Sequence, residues 1–239
     1  MNSDFTFTPI GIVHSCFTEK FGIPRQPGLV PAARGSLEIF PPYDQDEAFR
    51  GMDRFSHVWV LFVFHDNISG GWRPTVRPPR LGGNQRMGVF ATRSGFRPNP
   101  LGMSVVRQEG RRRTGGRFFL DVSGIDILDQ TPVLDIKPYL PYTDRIADAS
   151  GGFAAALPLP QLTVEFSDSV RPALSAAEDR YPGFSQLLRQ VLAADPRPAY
   201  TTGQSGKTHH GLRLYDLNIR WVVEAQTATV LSIASGAIA

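Results

Sequence analysis

Apolar and polar positions alternate in short bursts through the first two-thirds of this chain and switch to helical spacing near its end. The segments Phe7–Val13, Gly35–Phe40, Phe55–His65, Gly88–Thr92, Met103–Gln108, Arg117–Val122 and Val133–Lys137 are rich in β-branched and aromatic residues. Glycine and proline clusters bound them, which predicts short strands joined by turns. Within that region only Tyr43–Gly51 reads as a helix, a short one with Asp44 at its N-cap. No helix long enough to cross over a sheet alternates with the strands. An antiparallel barrel or sandwich is therefore expected, rather than a doubly wound parallel sheet.

At Asp148–Pro160 the composition shifts to a run of Ala, Gly, Ser and Pro that reads as a linker. Beyond it, Val170–Asp179 and Phe184–Ala194 carry apolar residues at helical spacing, among them Leu187, Leu188, Val191 and Leu192. The Asp-Pro-Arg-Pro at 195–198 stops the second helix. Strands are predicted after it at Gly211–Tyr215, Leu217–Val223 and Ala228–Ile233, with a frayed tail past Ser235. The chain is expected to be mainly β: an N-terminal antiparallel β-barrel over residues 1–150 and a small C-terminal α+β domain over 160–239. Its 23 glycines and 20 prolines fit so turn-rich an architecture.

A composition 41% hydrophobic and 20% charged is ordinary for a globular protein and excludes wholesale disorder. The longest unbroken apolar run, Val58–Phe64, is far short of the ~20 residues a membrane helix needs. The first residues lack the basic start and apolar core of a signal peptide, so a soluble cytoplasmic protein without membrane attachment is expected. The single cysteine, Cys16, has no partner for an internal disulfide and reads as a small semi-buried residue in reducing surroundings.

Charge is far less evenly spread. Eleven of the 25 basic residues, all arginines, fall between Gly70 and Arg117, where the only acid is Glu109. The net charge of the whole chain is only +3, so the remainder is acidic. Such segregation exceeds what solubility calls for. It fits a phosphate-rich partner, because a guanidinium grips phosphate oxygens through paired charge-assisted hydrogen bonds. The alternative is that these arginines pair with acids elsewhere in the fold.

Several tempting motifs fail on their own chemistry. Gly203–Thr208 ends like a phosphate-binding loop, but Thr201 stands where the first glycine is required and a strand follows instead of a helix, so a hairpin turn is expected. No G-x-G-x-x-G occurs. His209 and His210, adjacent in a strand, point to opposite faces, and no metal site is expected. Gly102-Met-Ser104 is not a nucleophile elbow.

What remains is a set of stiff polar loops. Phe21–Leu29 places Arg25 and Gln26 between Pro24 and Pro27, and Gly70–Gly83 spaces Arg73, Arg77 and Arg80 with prolines. Ala91–Ser104 repeats the design, and Asp126–Pro132 followed by Asp135–Tyr142 supplies acids and hydroxyls after a strand. Loops of this kind hold their polar groups in place before a ligand arrives. For each of them, a rigid turn that caps neighbouring strands is the competing reading.

Together these segments resemble the TrmO (TsaA-like) methyltransferases. The match is carried by PRQPGL at 24–29, FSHVWVLFVFH at 55–65, GGWRPTVRPPRLGG at 70–83, GVFATRSGFRPNPLGMS at 88–104, DQTPVLDIKPYLP at 129–141 and DPRPAY at 195–200. Arg111–Gly116 and the tail past Ser235 lie outside it. The resemblance implies transfer of a methyl group from S-adenosyl-L-methionine to N6-threonylcarbamoyladenosine beside the anticodon of tRNA. It also implies a barrel that binds the cofactor without a Rossmann fold, and a homodimer with that pocket near the subunit contact.

By the same resemblance, cofactor contacts fall on Pro24, Arg25, Gln26, His65, Asp66, Arg93, Leu101, Asp129, Gln130, Thr131 and Pro132. Arg25 suits the cofactor carboxylate, and Asp66 or Asp129 suits the ribose hydroxyls. His65 is the first candidate for a base, since an imidazole titrates near neutrality; a ring that only orients the cofactor is the alternative. Arg73, Arg77, Arg80, Arg86, Arg97, Asn99, Tyr142 and Arg197 are the candidates for tRNA contact, and Tyr139, Tyr142 or Phe96 for stacking on a base. The rival readings are a non-catalytic RNA-binding barrel and a small-molecule enzyme of nucleotide metabolism.

Overall fold

The computed structural model describes residues 5–197 and 208–236. Six of its strands, β1 (Gly11–Ser15), β2 (Arg34–Ile39), β3 (His57–Val63), β6 (Leu101–Thr114), β7 (Arg117–Ser123) and β8 (Pro132–Pro138), pair antiparallel in the order β1-β2-β7-β6-β3-β8. β1 bonds β2 on one side and β8 on the other, so the sheet closes into a barrel. Strand alternation does the filling: Val58, Val60 and Phe62 of β3 are buried while His57, Trp59 and Leu61 between them are not. Val13, Leu37, Val106, Leu120, Val122 and Val133 complete the interior.

Two predicted elements differ. Tyr43–Gly51 holds only a one-turn 3-10 helix at Asp46–Phe49 with no side-chain cap; it buries Phe49 alone, and Gly51 at φ +85° turns the chain away. Asp44 instead faces Arg113, 3.5 Å away. Of Gly88–Thr92, only Gly88 is in a strand, since β5 (Met87–Gly88) pairs with a two-residue β4 (Thr75–Val76) flanked by prolines. By contrast β6 outruns its predicted Met103–Gln108. Past a bulge at Gln108/Gly110 it continues through the polar Arg111–Thr114 as a hairpin with β7.

After a short helix α1 (Pro141–Asp144), the chain enters a second sheet ordered β10-β11-β12-β9. Its strands are β9 (Thr163–Phe166), β10 (Thr208–Leu214), β11 (Leu217–Glu224) and β12 (Thr227–Ser235), and β9 runs parallel to β12. The helices α2 (Arg171–Arg180) and α3 (Phe184–Ala193) pack against this sheet, α3 burying Phe184, Leu187, Leu188, Val191 and Leu192 beside Trp221. The predicted turn at 203–207, residues 198–200 of DPRPAY and residues 237–239 of the tail lie outside the described residues.

The two sheets share one apolar core. The N–H of Tyr215 donates to Cys16 O at 2.8 Å, that of Arg213 to Glu19 Oε1 at 2.9 Å, and that of Ala32 to Gln190 Oε1 at 2.9 Å. Cys16 is fully buried, and burial pushes its thiol up to about 12, which leaves it inert as a nucleophile.

Candidate active site

A cavity of about 420 Å³ opens where β3 ends and β6 begins. Phe62 and Phe64 form its floor in an edge-on pair with ring centroids 5.1 Å apart. The start of β6, the β7–β8 loop and the proline-stiffened Ile23–Gln26 supply the walls. Gly95 lets the loop before β6 lie on this floor, since a Cβ there would stand 2.8 Å from Phe64 Cγ. The volume lies within the roughly 300–1,000 Å³ that encloses small organic ligands.

The polar groups divide into a rim and an interior. At the rim, Lys20 Nζ lies 3.6 Å from Asp66 Oδ2, and His65 Nε2 lies 3.4 Å from Asp66 Oδ1. Arg93 donates from Nη1 to Gln26 Oε1 at 2.7 Å, tying the two arginine-bearing loops together. Burial lowers the pKa of Arg25 and the charge of Asp195 raises it, which places these two groups within electrostatic reach of one another. Further in, the Ser104 hydroxyl donates to Asp126 Oδ1 at 2.6 Å. Burial raises the Asp126 carboxyl from 3.8 to about 6, against the lowering effects of Ser104, its own backbone N–H and the charge of Arg93.

Beside the cavity runs a wider cleft of about 1670 Å³ that shares Arg25, Gln26, Thr92 and Arg93 with it. Arg73, Arg77, Arg80 and Arg86 line the cleft, and Arg73 sits 4.4 Å above the Phe96 ring. Its far wall comes from residues 151–158, where Arg80 hydrogen-bonds the carbonyl of Ala156. The only carboxylate among its lining residues, Asp195, is held by Arg197 at 2.7 and 2.8 Å.

Of the expected cofactor contacts, Pro24, Arg25, Gln26, His65, Asp66, Arg93, Leu101 and Thr131 line the cavity. Asp129, Gln130 and Pro132 do not. The backbone there pairs with β1 through Gln130 N–H to Val13 O, and Asp129 Oδ1 takes the N–H of Ser15 at 2.9 Å. The Gln130 amide lies against Asp129 and His14, and Pro132 sits opposite Ile12 in the barrel wall.

Of the expected tRNA contacts, Arg73, Arg77, Arg80 and Arg86 stand in the cleft. Arg97 turns inward onto the carbonyls of Val89 and Thr92 at 3.1 and 2.8 Å. Arg197 also lines the cleft, but it is buried against Asp195, which neutralises its charge. Asn99 and Tyr142 line neither space, and Tyr139 packs on His57 and Trp59.

The arginines of the β6–β7 hairpin are held by their own neighbours. Arg111 donates to Phe49 O, Arg112 to Asp121, Arg113 pairs with Asp44 and Asp46, and Arg117 pairs with Glu38. The arginine-rich window is therefore two populations, one structural and one lining the cleft. The sequence does not single out Lys20, and it places Ser104 and Asp126 in stiff polar loops without giving either a site role. Asp126 opens the same acid-bearing loop as Asp129, and what separates them is the long-range contact by which the Ser15 N–H holds Asp129 against β1.

The fold and site together define a β-barrel with a small-molecule cavity at its mouth, opening on a cationic cleft. The chain belongs to the tRNA-methyltransferase O (TrmO) family: residues 12–145 match the model of its N-terminal domain and residues 159–236 that of the TrmO C-terminal domain. It is 51% identical over 222 residues to the tRNA (adenine(37)-N6)-methyltransferase of Escherichia coli K12, covering 92% of this chain and 94% of that one. A Pseudomonas aeruginosa protein named a putative S-adenosylmethionine-dependent methyltransferase is 51% identical over 231 residues, covering 96% and 97%. A crystal structure of TrmO from Pseudomonas aeruginosa superposes with a TM-score of 0.80 at 44% identity, over 98% of this chain and 99% of that one.

Proposed function

We propose that this protein is an S-adenosylmethionine-dependent methyltransferase acting on N6 of adenine 37 in tRNA, with N6-threonylcarbamoyladenosine as the acceptor nucleotide. The observation that carries this reading is the junction at Arg25 and Arg93: a cavity of cofactor size meets a cleft of anion-binding arginines there. Family membership independently supports methylation of tRNA at N6 of adenine 37.

The cavity's donor set fits the cofactor. Arg25 offers a forked donor to its carboxylate, Asp66 accepts from ribose hydroxyls, and Phe62 and Phe64 give its adenine or methionine chain an apolar floor. When bound, the cofactor supplies an electrophilic methyl group on a cationic sulfur. The protein's contribution is then to hold the acceptor nitrogen in line with that methyl and to keep water out. Arg73, Arg77, Arg80 and Arg86 hold the phosphates of the anticodon arm, or the carboxylate of the threonyl group.

A non-catalytic RNA-binding barrel gives the enclosed cavity no task. The test is incubation of the protein with the cofactor and tRNA carrying the threonylcarbamoyl group, followed by nucleoside mass spectrometry. Methylation of that nucleotide, absent with unmodified tRNA, is expected. Saturable RNA binding without methyl transfer overturns the enzyme reading.

Residues 1–150 and 160–239 are proposed as the catalytic and accessory units of a cytoplasmic homodimer. The exposed Tyr142, Ile146, Leu157 and Leu159 are apolar surface that a subunit contact would cover. A solution mass of 26.3 kDa by light scattering, that of a single chain, would refute the dimer.

A further inference from the structure

Methylation of a urea-like nitrogen leaves one proton to be removed, and three groups lining the cavity are able to accept it: His65, Asp66 and Asp126. Asp66 is half exposed at the rim and neutralised by Lys20. His65 stands at the same rim beside Asp66. Only Asp126 lies inside, where it lines the cavity and is oriented by the Ser104 hydroxyl at 2.6 Å and by its own backbone N–H. Arg93, which belongs to both the cavity and the cleft, acts on its charge. Asp126 is therefore near the boundary at which cofactor and RNA base would meet.

We infer that Asp126 is the catalytic base of the methyl transfer, with Ser104 as its positioning residue. This rests on the proposed function. As the bond from N6 to the methyl carbon forms and the methyl–sulfur bond breaks, Asp126 takes the N6 proton. Its carboxylate becomes a carboxylic acid, the sulfonium charge is lost in a neutral thioether, and the proton returns to solvent with product release. The charged groups facing this chemistry are Lys20, Arg25, His65, Asp66, Arg93 and Arg97. A carboxyl raised to about 6 is still mostly ionised at neutral pH and is more basic than an ordinary carboxylate, as a general base requires.

The test is Asp126→Asn, which keeps a partner for Ser104. Calorimetry is expected to show cofactor binding within threefold of wild type, while turnover at saturating cofactor falls roughly 100-fold or more. Wild-type turnover falls as pH drops through about 6, and that limb is absent from the residual activity of the variant. Ser104→Ala moves the limb to higher pH, and His65→Ala leaves it in place.

Variant turnover within threefold of wild type overturns the inference, as does a loss restored by raising cofactor concentration. A flat wild-type profile between pH 5 and 7 overturns it without any variant. Wild type that binds cofactor yet methylates no tRNA overturns the proposed function, and the base falls with it.

Discussion

Burial makes Asp126 costly as a charged residue, and the cost has a sign that can be read. Its folded pKa, about 6, stands above the ordinary 3.8, so the native state binds a proton more readily than the unfolded chain. Stability from this group is complete below the ordinary value and is lost as pH rises through about 6. Asp126→Asn is therefore expected to melt at higher temperature than wild type at pH 7.5, with the gap closing toward pH 4. Calorimetric scans at both values check it, and a variant less stable at pH 7.5 contradicts the enclosed carboxyl. An acid kept at such a cost is what a reacting group looks like. Composition alone ranks Asp126 and Asp129 equally. Their difference comes from a contact between β1 and the β7–β8 loop, 114 residues apart, where Ser15 N–H claims Asp129, and no local pattern announces that contact.

Elements followed the sequence wherever a buried face imposed a period. The barrel strands and both long helices sit within a few residues of their apolar patterns, because each must hide one side. Segments without such a face were illegible: the polar extension of β6 is held by Arg112 stacking 4.2 Å from Phe119 and pairing with Asp121, not by burial of its own side chains. β9 carries the right alternation in only four residues. The same distinction separates the arginines. Those of the hairpin answer to partners within the fold, whereas no carboxylate among the described residues pairs with Arg77 or Arg86 in the cleft. Arg77→Glu with Arg86→Glu should weaken tRNA binding and flatten its log–log salt dependence by roughly 0.7–0.9 per lost phosphate contact. Arg112→Gln should leave that slope unchanged and lower the melting temperature slightly. Equal slopes for all three proteins would return the cleft arginines to a structural role.

At the scale of the whole molecule, the segment that shapes the cavity also rests on the C-terminal sheet. Gly22 immediately precedes the cavity-lining Ile23–Gln26, has φ +91°, and faces Leu212 of β10 so closely that a Cβ would lie 2.3 Å from Leu212 Cδ1 and 3.7 Å from Val191 Cγ1 of α3. Leu212 and Val191 are both buried, so neither can swing aside cheaply. Gly22→Ala combines an unfavourable backbone conformation with overpacking, a cost of about 2–4 kcal/mol. If the two sheets fold as one unit through their shared core, that cost must appear in a single calorimetric transition shifted downward as a whole. Cofactor affinity should fall as well, because Arg25 and Gln26 hang from the displaced backbone. Two resolved transitions, only one of them moved, would instead show a C-terminal sheet that unfolds on its own. The barrel would then own its cavity outright, and cofactor affinity in the variant would match wild type at temperatures where the second sheet is already lost.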